Sequence, residues 1–589
     1  MKRLLYACCV VLGMRSECRA EEGGAPLFRD VTEASGVTWT HRTGAQGGWH
    51  YLETMGSGCA LFDYDNDGDL DLYLVNGAPL EDFRKRGQNA LYRNDTVKAP
   101  ASGIRFHEVS DQAGLWGQGY GMGCAAADCD NDGDCDLYVT GYDRTILYRN
   151  NGDGTFSDVT EPSGVRVAGW SAGATFLDYD LDGDLDLYVV RYLTYDPLQE
   201  PVWTREGVRT YCTPENFPGK PDLLFENRGD GTFVNASVRS GIVDSNGKGL
   251  GVVTLDYDDD GDPDIFVAND TTPNLLFRND GGRFSEIGLQ AGVATGLTGR
   301  FQAGMGIDAG DIDGDGDADL VVTNFSYEPY ALYRNESKQV FSEASQEVGI
   351  YGPTTMPLGF GTHLFDFDND GDLDLFFANG HISPNVHLYS PSETYAQRDQ
   401  LFQNAGGVFR EVTSRAGFAG PNVTRGSAVG DLDGDGDLDL VTVVADGQVR
   451  IYENVSGTQN HWLTVKVVGG MGTDTETQRH GDTETRRHRD TGMQRFSASS
   501  SPRVSASAFS NRDAIGARVS VTAGGRTQMR EVRCQSSYLS TSDVRVHFGL
   551  GEAAVVDRIE VRWPGGRVDV LEKVSADRVL VVRERKGQD

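Results

Sequence analysis

The feature that most constrains this chain is a nine-residue stretch, Asp63-Tyr-Asp-Asn-Asp-Gly-Asp-Leu-Asp71, which returns six more times with Asp at positions 1, 3, 5, 7 and 9 and Gly at position 6. The recurring carboxylates are Asp63, Asp65, Asp67, Asp69 and Asp71, then Asp128, Asp130, Asp132, Asp134 and Asp136, then Asp178, Asp180, Asp182, Asp184 and Asp186. The fourth and fifth copies carry Asp256, Asp258, Asp260, Asp262 and Asp264, and Asp311, Asp313, Asp315, Asp317 and Asp319. The sixth and seventh carry Asp366, Asp368, Asp370, Asp372 and Asp374, and Asp431, Asp433, Asp435, Asp437 and Asp439. Alternate carboxylates on a tight turn converge and repel, at roughly 1–4 kcal/mol per pair about 4 Å apart. A turn that bound nothing would have no reason to carry that cost. Hard oxygen donors at this density suit Ca²⁺, which takes roughly six to eight oxygens at about 2.3–2.6 Å. In the first copy the expected ligands are the side chains of Asp63, Asp65, Asp67 and Asp71 with the backbone carbonyl of Asp69. The repeat predicts up to seven such sites, with Gly68 and its equivalents supplying the positive φ of the turn.

The flanks, Cys59-Ala-Leu-Phe62 and Leu70-Asp-Leu-Tyr-Leu-Val75, are short and apolar or partly alternating. They read as strands, so the loop is not an EF-hand, which needs flanking helices and a glutamate at position 12. A second motif alternates with the first: Leu147-Tyr-Arg-Asn150 followed by Gly154-Thr-Phe-Ser-Asp-Val-Thr160, with relatives at Leu224–Asn227, Leu276–Asn279, Leu332–Asn335 and Leu401–Asn404. Each repeat is therefore about four short strands, the size of one blade of a β-propeller. Phe28-Arg-Asp-Val-Thr32 has the second half of this motif alone, and Arg450-Ile-Tyr-Glu-Asn454 the first half alone. The two ends are expected to complete one shared blade. The expected fold class is all-β: a seven-bladed β-propeller followed by a small antiparallel β-domain.

Of the formal net charge of −35, the loops contribute 36 aspartates. Seven bound divalent cations would bring it to −21, and acidity of this kind argues against nucleic acid as a partner. Residues 1–20 read as a secretory signal: Lys2-Arg3, an apolar run from Leu4 to Met14, then Cys18-Arg19-Ala20. That run is too short to span a bilayer, so no transmembrane segment is expected in the mature chain. The expected location is secreted, extracellular or periplasmic, where disulfides are allowed.

Of the six remaining cysteines, Cys129 with Cys135 and Cys59 with Cys124 are candidate pairs, with plain packing as the alternative for each. Gly169-Trp-Ser-Ala-Gly173 matches an esterase elbow in letters, but it runs into a calcium loop where the elbow needs a helix, which argues against Ser171 as a nucleophile. Arg228-Gly-Asp230 resembles an integrin-recognition tripeptide, yet the preceding repeat has Asn151-Gly-Asp153 in the same place. Two insertions, residues 191–221 and 380–400, break the period and are rich in aromatics and proline. Long loops on a rigid scaffold are the usual place for binding sites, with a simple cap over apolar surface as the alternative.

After Val455 the aspartate pattern stops. His461-Trp-Leu-Thr-Val-Lys-Val-Val468 reads as a strand, and residues 470–509 as a low-complexity, disordered insert in which Asp474-Thr-Glu-Thr-Gln-Arg-His480 is echoed by Asp482-Thr-Glu-Thr-Arg-Arg-His488. Strands resume at Ala514–Val521 and run to Arg578–Val582. The organisation expected is a signal at 1–20, repeats over 21–457, and a β-domain over 458–585.

The loops resemble the FG-GAP or VCBS calcium repeats of integrin α-type propellers. Asn511-Arg-Asp-Ala-Ile-Gly-Ala-Arg-Val519, Gln535-Ser-Ser-Tyr-Leu-Ser540, His547-Phe-Gly-Leu-Gly551 and Val561-Arg-Trp-Pro-Gly-Gly-Arg567 resemble the ASPIC/UnbV domain. Together the chain is similar to the cartilage acidic protein family over nearly all of its mature length. The resemblance implies a secreted calcium-binding propeller and implies no reaction. The expected function is a calcium-rigidified binding or adhesion scaffold for an extracellular protein or glycan, with no catalytic residue assigned. The alternative is a carbohydrate-active lyase or hydrolase using carboxylates and His381 on the propeller face.

Overall fold

The computed structural model describes residues 25–79, 88–96, 103–243, 247–457, 459–470 and 510–585. The expected signal at 1–20 and nearly all of the expected insert at 470–509 lie outside these residues. The β-structure follows the repeats. Each repeat forms one antiparallel four-stranded sheet in which sequence neighbours pair. In the second repeat the strands are Tyr120–Ala127, Asp136–Tyr142, Ile146–Asn150 and Phe156–Asp158. The aspartate loop joins the first strand to the second, with Ala127 paired to Asp136 across its mouth. The Val-Thr motif closes the other side: Thr160 lets its hydroxyl accept the Leu147 N–H at 2.9 Å, and a one-turn helix, Thr160–Ser163, follows. In the seventh sheet the fourth strand comes from the chain start: Phe28 pairs with Asn454 and Asp30 with Tyr452, as the two half-motifs predict.

The expected fold class is corrected in two respects. The seven repeats are separate small sheets with linear strand orders, and no sheet is closed or curled, so strand pairing does not give a closed seven-bladed propeller. The physical reason is that the repeat supplies backbone partners only within each group of four strands; between groups the contacts are packed side chains and isolated bonds. The C-terminal part, in turn, is not a purely antiparallel domain following the repeats. His461–Val468 lies between Val546–Gly551, which it meets antiparallel, and Arg578–Arg583, which it meets in parallel. A second sheet orders Arg526–Glu531, Arg518–Ala523, Val555–Arg562 and Val568–Ser575.

Between these C-terminal strands the segment Gln535–Thr541 runs back into the middle of the repeat sheets. Ser537 exchanges backbone bonds with Ile307 (2.7 and 3.2 Å), the Leu539 carbonyl accepts the Cys124 N–H (3.2 Å), and Thr541 bonds both Cys59 and Leu61. The Ser537 hydroxyl accepts the Thr362 N–H at 3.1 Å and lies 3.1 Å from that of Ser427. Five of the seven first strands thus touch one stretch of chain. Small residues make the approach possible: a Cβ on Gly58 would fall 1.7 Å from the Leu539 carbonyl oxygen, and one on Gly123 3.0 Å from the same atom. Ser537 and Leu539 hold positive φ (72° and 57°), a conformation that a non-glycine residue keeps only when its surroundings enforce it.

Candidate metal centres and the opposite end

The aspartate loops share one construction. In the first, the Asp63 carboxylate accepts the backbone N–H groups of Asp67 and Gly68, each at 3.1 Å, so the turn folds over its own first residue. Gly68 has φ +96°, as the sequence requires. Position 4 is also left-handed in every copy: Asn66, Asn131, Leu181, Asp259, Gly314, Asn369 and Gly434 all have positive φ. The abundance of Asn, Asp and Gly there was a readable signal of that conformation.

Position 9 anchors the loop. Asp71 accepts the Tyr64 N–H at 3.0 Å on one oxygen and the Asn94 N–H at 2.7 Å on the other. Asn94 is the last residue of the Leu-Tyr-x-Asn motif, and the same bond recurs from Asn150 to Asp136, Asn227 to Asp186, Asn279 to Asp264, Asn335 to Asp319, Asn404 to Asp374 and Asn454 to Asp439, at 2.7–2.8 Å. These asparagines also tie loop to loop. The Asn150 amide donates to the Tyr64 carbonyl of the preceding loop (2.8 Å), and the Asn94 amide donates to Leu432 of the seventh (2.8 Å). Sequence reasoning saw the motif and missed its role, because the partners are 86 and 338 residues away.

Position 3 is different. One oxygen, Oδ1, of Asp130, Asp180, Asp258, Asp368 and Asp433 is buried and has no hydrogen-bond partner among the described residues. In the first three loops, oxygens of positions 1, 3 and 9 lie within 4.8 Å of one another: Asp63, Asp65 and Asp71; Asp128, Asp130 and Asp136; Asp178, Asp180 and Asp186. In the fourth and fifth the close groups are positions 1, 3 and 5: Asp256, Asp258 and Asp260; Asp311, Asp313 and Asp315. Burial pushes the position-9 carboxyls up, Asp71 and Asp319 to about 8 and Asp136 to about 7. Asp186, Asp264, Asp374 and Asp439 are also raised well above the ordinary carboxylate range, first by burial. Clusters of close carboxylates, with a buried, unpartnered oxygen at position 3 in five of them, fit a divalent cation bound through oxygen. Several of these clusters can therefore chelate a divalent ion.

The C-terminal part covers this end of the sheets and brings cations to it. Arg518 and Arg562 meet Asp259 at 2.5 and 2.6 Å, Arg526 pairs with Asp372, and Arg512 lies 3.8 Å from Asp128. The Asn511-Arg-Asp motif holds the second loop directly: the Asp128 N–H donates to Asp513 (2.7 Å) and the Arg512 N–H to Asn131 (2.9 Å). His547 Nε2 lies 2.7 Å from Asn369 Oδ1 in the sixth loop.

The two insertions leave the sheets at the opposite end, since both connect a second strand to a third. They fasten to each other: the Thr210 and Ser383 hydroxyls are 2.9 Å apart, and the Asn385 amide donates to the Arg209 carbonyl at 2.8 Å. Between them and the first strands lies a cavity of about 230 Å³.

Other residues singled out by sequence fall outside any catalytic arrangement. His381 is buried, its Nδ1 accepts the Ser383 N–H at 2.9 Å and its Nε2 is 3.6 Å from Glu393. Burial lowers its pKa to about 4, so the imidazole is neutral, with Nδ1 taken by the Ser383 N–H. Ser171 is fully buried at the start of the strand Ser171–Leu177, with no helix after it. Asp230 of Arg228-Gly-Asp230 bonds Thr232 through its own turn. All six described cysteines are free in the structure, the packed alternative for both candidate pairs; Cys129 packs in the second loop with its thiol 3.0 Å from Asp136. Among the described residues no helix is long and apolar enough to cross a membrane.

Comparison with known proteins follows the same division. The FG-GAP-like repeat matches residues 128–189, 216–267, 256–322 and 311–377, and the ASPIC and UnbV family matches 508–589. Cartilage acidic protein 1 of Xenopus tropicalis is 25% identical over 544 residues, covering 87% of this chain and 70% of that protein. Its Mus musculus counterpart is 26% identical over 330 residues, covering 54% of this chain and 42% of that protein. Among solved structures, an Agrocybe aegerita lectin described as recognising non-reducing terminal N-acetylglucosamine aligns at TM-score 0.36 and 16% identity, over 66% of this chain and 88% of that one. The rhamnogalacturonan lyase YesX aligns at TM-score 0.26 and 13% identity, over 57% and 72%. At such scores neither likeness carries a functional argument. None of the matched families or cartilage acidic proteins bears a name that denotes a reaction. The chain thus carries FG-GAP-like repeats and a C-terminal ASPIC and UnbV domain, and is similar along most of its length to cartilage acidic protein 1.

Proposed function

We propose that the protein is a secreted, calcium-rigidified scaffold that binds an extracellular protein or glycan and carries out no reaction on it. The observation that carries this reading is the row of buried, unpartnered Oδ1 atoms at position 3 of five loops, beside carboxylates already committed to the turn. In this proposal each of the seven loops holds one Ca²⁺ through the side chains of positions 1, 3, 5 and 9 and the carbonyl of position 7. The first site would use Asp63, Asp65, Asp67 and Asp71 with the Asp69 carbonyl, and the other six the equivalent aspartates. The cation would supply the positive charge that buried carboxylates lack, and would thereby lock the turn between the first and second strand of each sheet. The ligand would sit at the opposite end, where insertions 191–221 and 380–400 meet. The proposal retains residues 1–20 as an export signal, 21–457 as the repeat region and 458–585 as the C-terminal domain.

Extracellular modules hold Ca²⁺ at about 10⁻⁴–10⁻³ M. Binding to the folded state alone stabilises it by about 2.7 kcal/mol per site at a hundredfold excess over Kd. Titration of calcium into chelator-stripped protein, followed by calorimetry, is expected to give saturable binding in that range and a rising melting temperature. A stripped protein that takes up no calcium and melts unchanged would overturn the reading.

A further inference from the structure

We infer that the cavity between the two insertions is a binding site for a neutral sugar unit, the terminal residue of a glycan. The inference rests on the scaffold reading above and adds to it the place and class of the ligand. Its floor is apolar: Met55, Leu250, Met305 and Phe360 are all buried and come from four different sheets or their lead-ins. Its walls are aromatic, with Trp203 37% exposed on the hairpin of the first insertion and Tyr389 supplied by the second. Flat apolar walls of this kind take the C–H face of a pyranose or an aromatic group.

Polar groups decide between those two. Glu215, Glu328, Asp270 and Arg205 are among its lining residues. Arg205 stands 5.2 Å from the centre of the Tyr389 ring. Beneath the floor, Arg425 lies 3.9 Å over the Phe360 ring, held by the carbonyls of Thr54, Gly380, Thr424 and His381. A cationic ligand would leave Arg205 without an acceptor, and an anionic one would meet three carboxyls. A purely apolar ligand would strip water from Glu215 and Arg205 and return no hydrogen bond, which is costly for a charged group. A neutral ring with one apolar face and a rim of hydroxyls satisfies both sets of groups: it stacks, donates to the carboxylates and accepts from the guanidinium. Because the insertions are bonded to each other and the Glu328 carboxylate is fixed by the Ala303 N–H at 2.8 Å, the site is formed before the ligand arrives, which lowers the ordering cost of binding.

The test uses the full-length protein with calcium on an array of neutral and acidic glycans, followed by titration of the best neutral glycan monitored by tryptophan fluorescence. Trp203→Ala and Glu215→Gln change exposed groups and are expected to leave the melting temperature unchanged while weakening that glycan by about tenfold or more. Neutral glycans retained by the wild type and lost by both variants support the site. Failure to bind any neutral glycan overturns the ligand class, and binding unaffected by both variants overturns the location. The scaffold reading fails by a separate route: if chelator leaves the melt unchanged, calcium is not structural, whatever the array shows.

Discussion

The two ends of the repeat sheets differ in almost every physical respect. At the aspartate end, seven short loops carry 36 aspartates, of which those at positions 1 and 9 are held by backbone N–H groups, and the loops are linked to one another by asparagines and covered by arginines of the C-terminal part. At the insertion end the loops are long, aromatic and few, and they leave a cavity. In the proposed reading, repetition at one end and irregularity at the other separate stability from recognition: an element repeated seven times can hold the scaffold together but cannot distinguish ligands, whereas two unique insertions can. The segment Gln535–Thr541 connects the ends, since Tyr538 starts from the covered side and donates its hydroxyl to the Met55 carbonyl (3.2 Å) at the base of the cavity.

Breaking that connection should have the largest effect. Tyr538 is fully buried and packs its ring 5.0 Å from Phe360; Tyr538→Ala is expected to cost about 3–5 kcal/mol in urea unfolding. A loss under about 1 kcal/mol would mean the segment is an appendage. Next comes the loop-to-loop tie. Asn404 donates to Ile312 and Leu373 carbonyls at 3.0 and 2.9 Å, and Asn404→Ala should cost about 2–3 kcal/mol by stranding buried acceptors. Calcium uptake at the sixth loop should persist, because the Asn404 bond to Asp374 is made by the backbone N–H, which alanine keeps. A smaller effect is expected from His363, a buried imidazole whose pKa is lowered by burial to about 3. The unfolded chain takes up its proton near pH 6.5, so stability from this group is present above that pH and is lost as pH falls toward 3. With calcium saturating, His363→Gln should flatten the fall in stability between pH 6 and 4 by about 1.4 kcal/mol per pH unit; an unchanged slope would show the imidazole charged in the native state. The smallest change in stability belongs to the open end: Trp203→Ala should alter unfolding by less than about 0.5 kcal/mol, while removing recognition.

Much of this was legible in the chain itself. The nine-residue loops, the four-strand period and the complementary half-motifs at Phe28 and Arg450 depend on local spacing, and local spacing is what a sequence displays. The left-handed position 4 was equally local and was simply not read. The role of the motif asparagines, the docking of Arg518, Arg526 and Arg562 on the loops, and the return of Gln535–Thr541 between the first strands all join residues far apart in the chain, and nothing in the residues alone announces such partners. The cysteines are open in sequence between pairing and plain packing, and the structure takes the second: Cys129 and Cys135 lie close in sequence, yet Cys129 points its thiol at Asp136 and is free.

The central claim, that the aspartate end is a set of oxygen cages for a divalent ion, is tested most directly by metal content. Protein dialysed to equilibrium against millimolar calcium, with the metal on both sides of the membrane measured by elemental mass spectrometry, should carry up to seven calcium atoms per chain and lose them, with a large fall in melting temperature, on addition of EDTA. Protein that retains no calcium under those conditions, and melts identically with and without chelator, would contradict it.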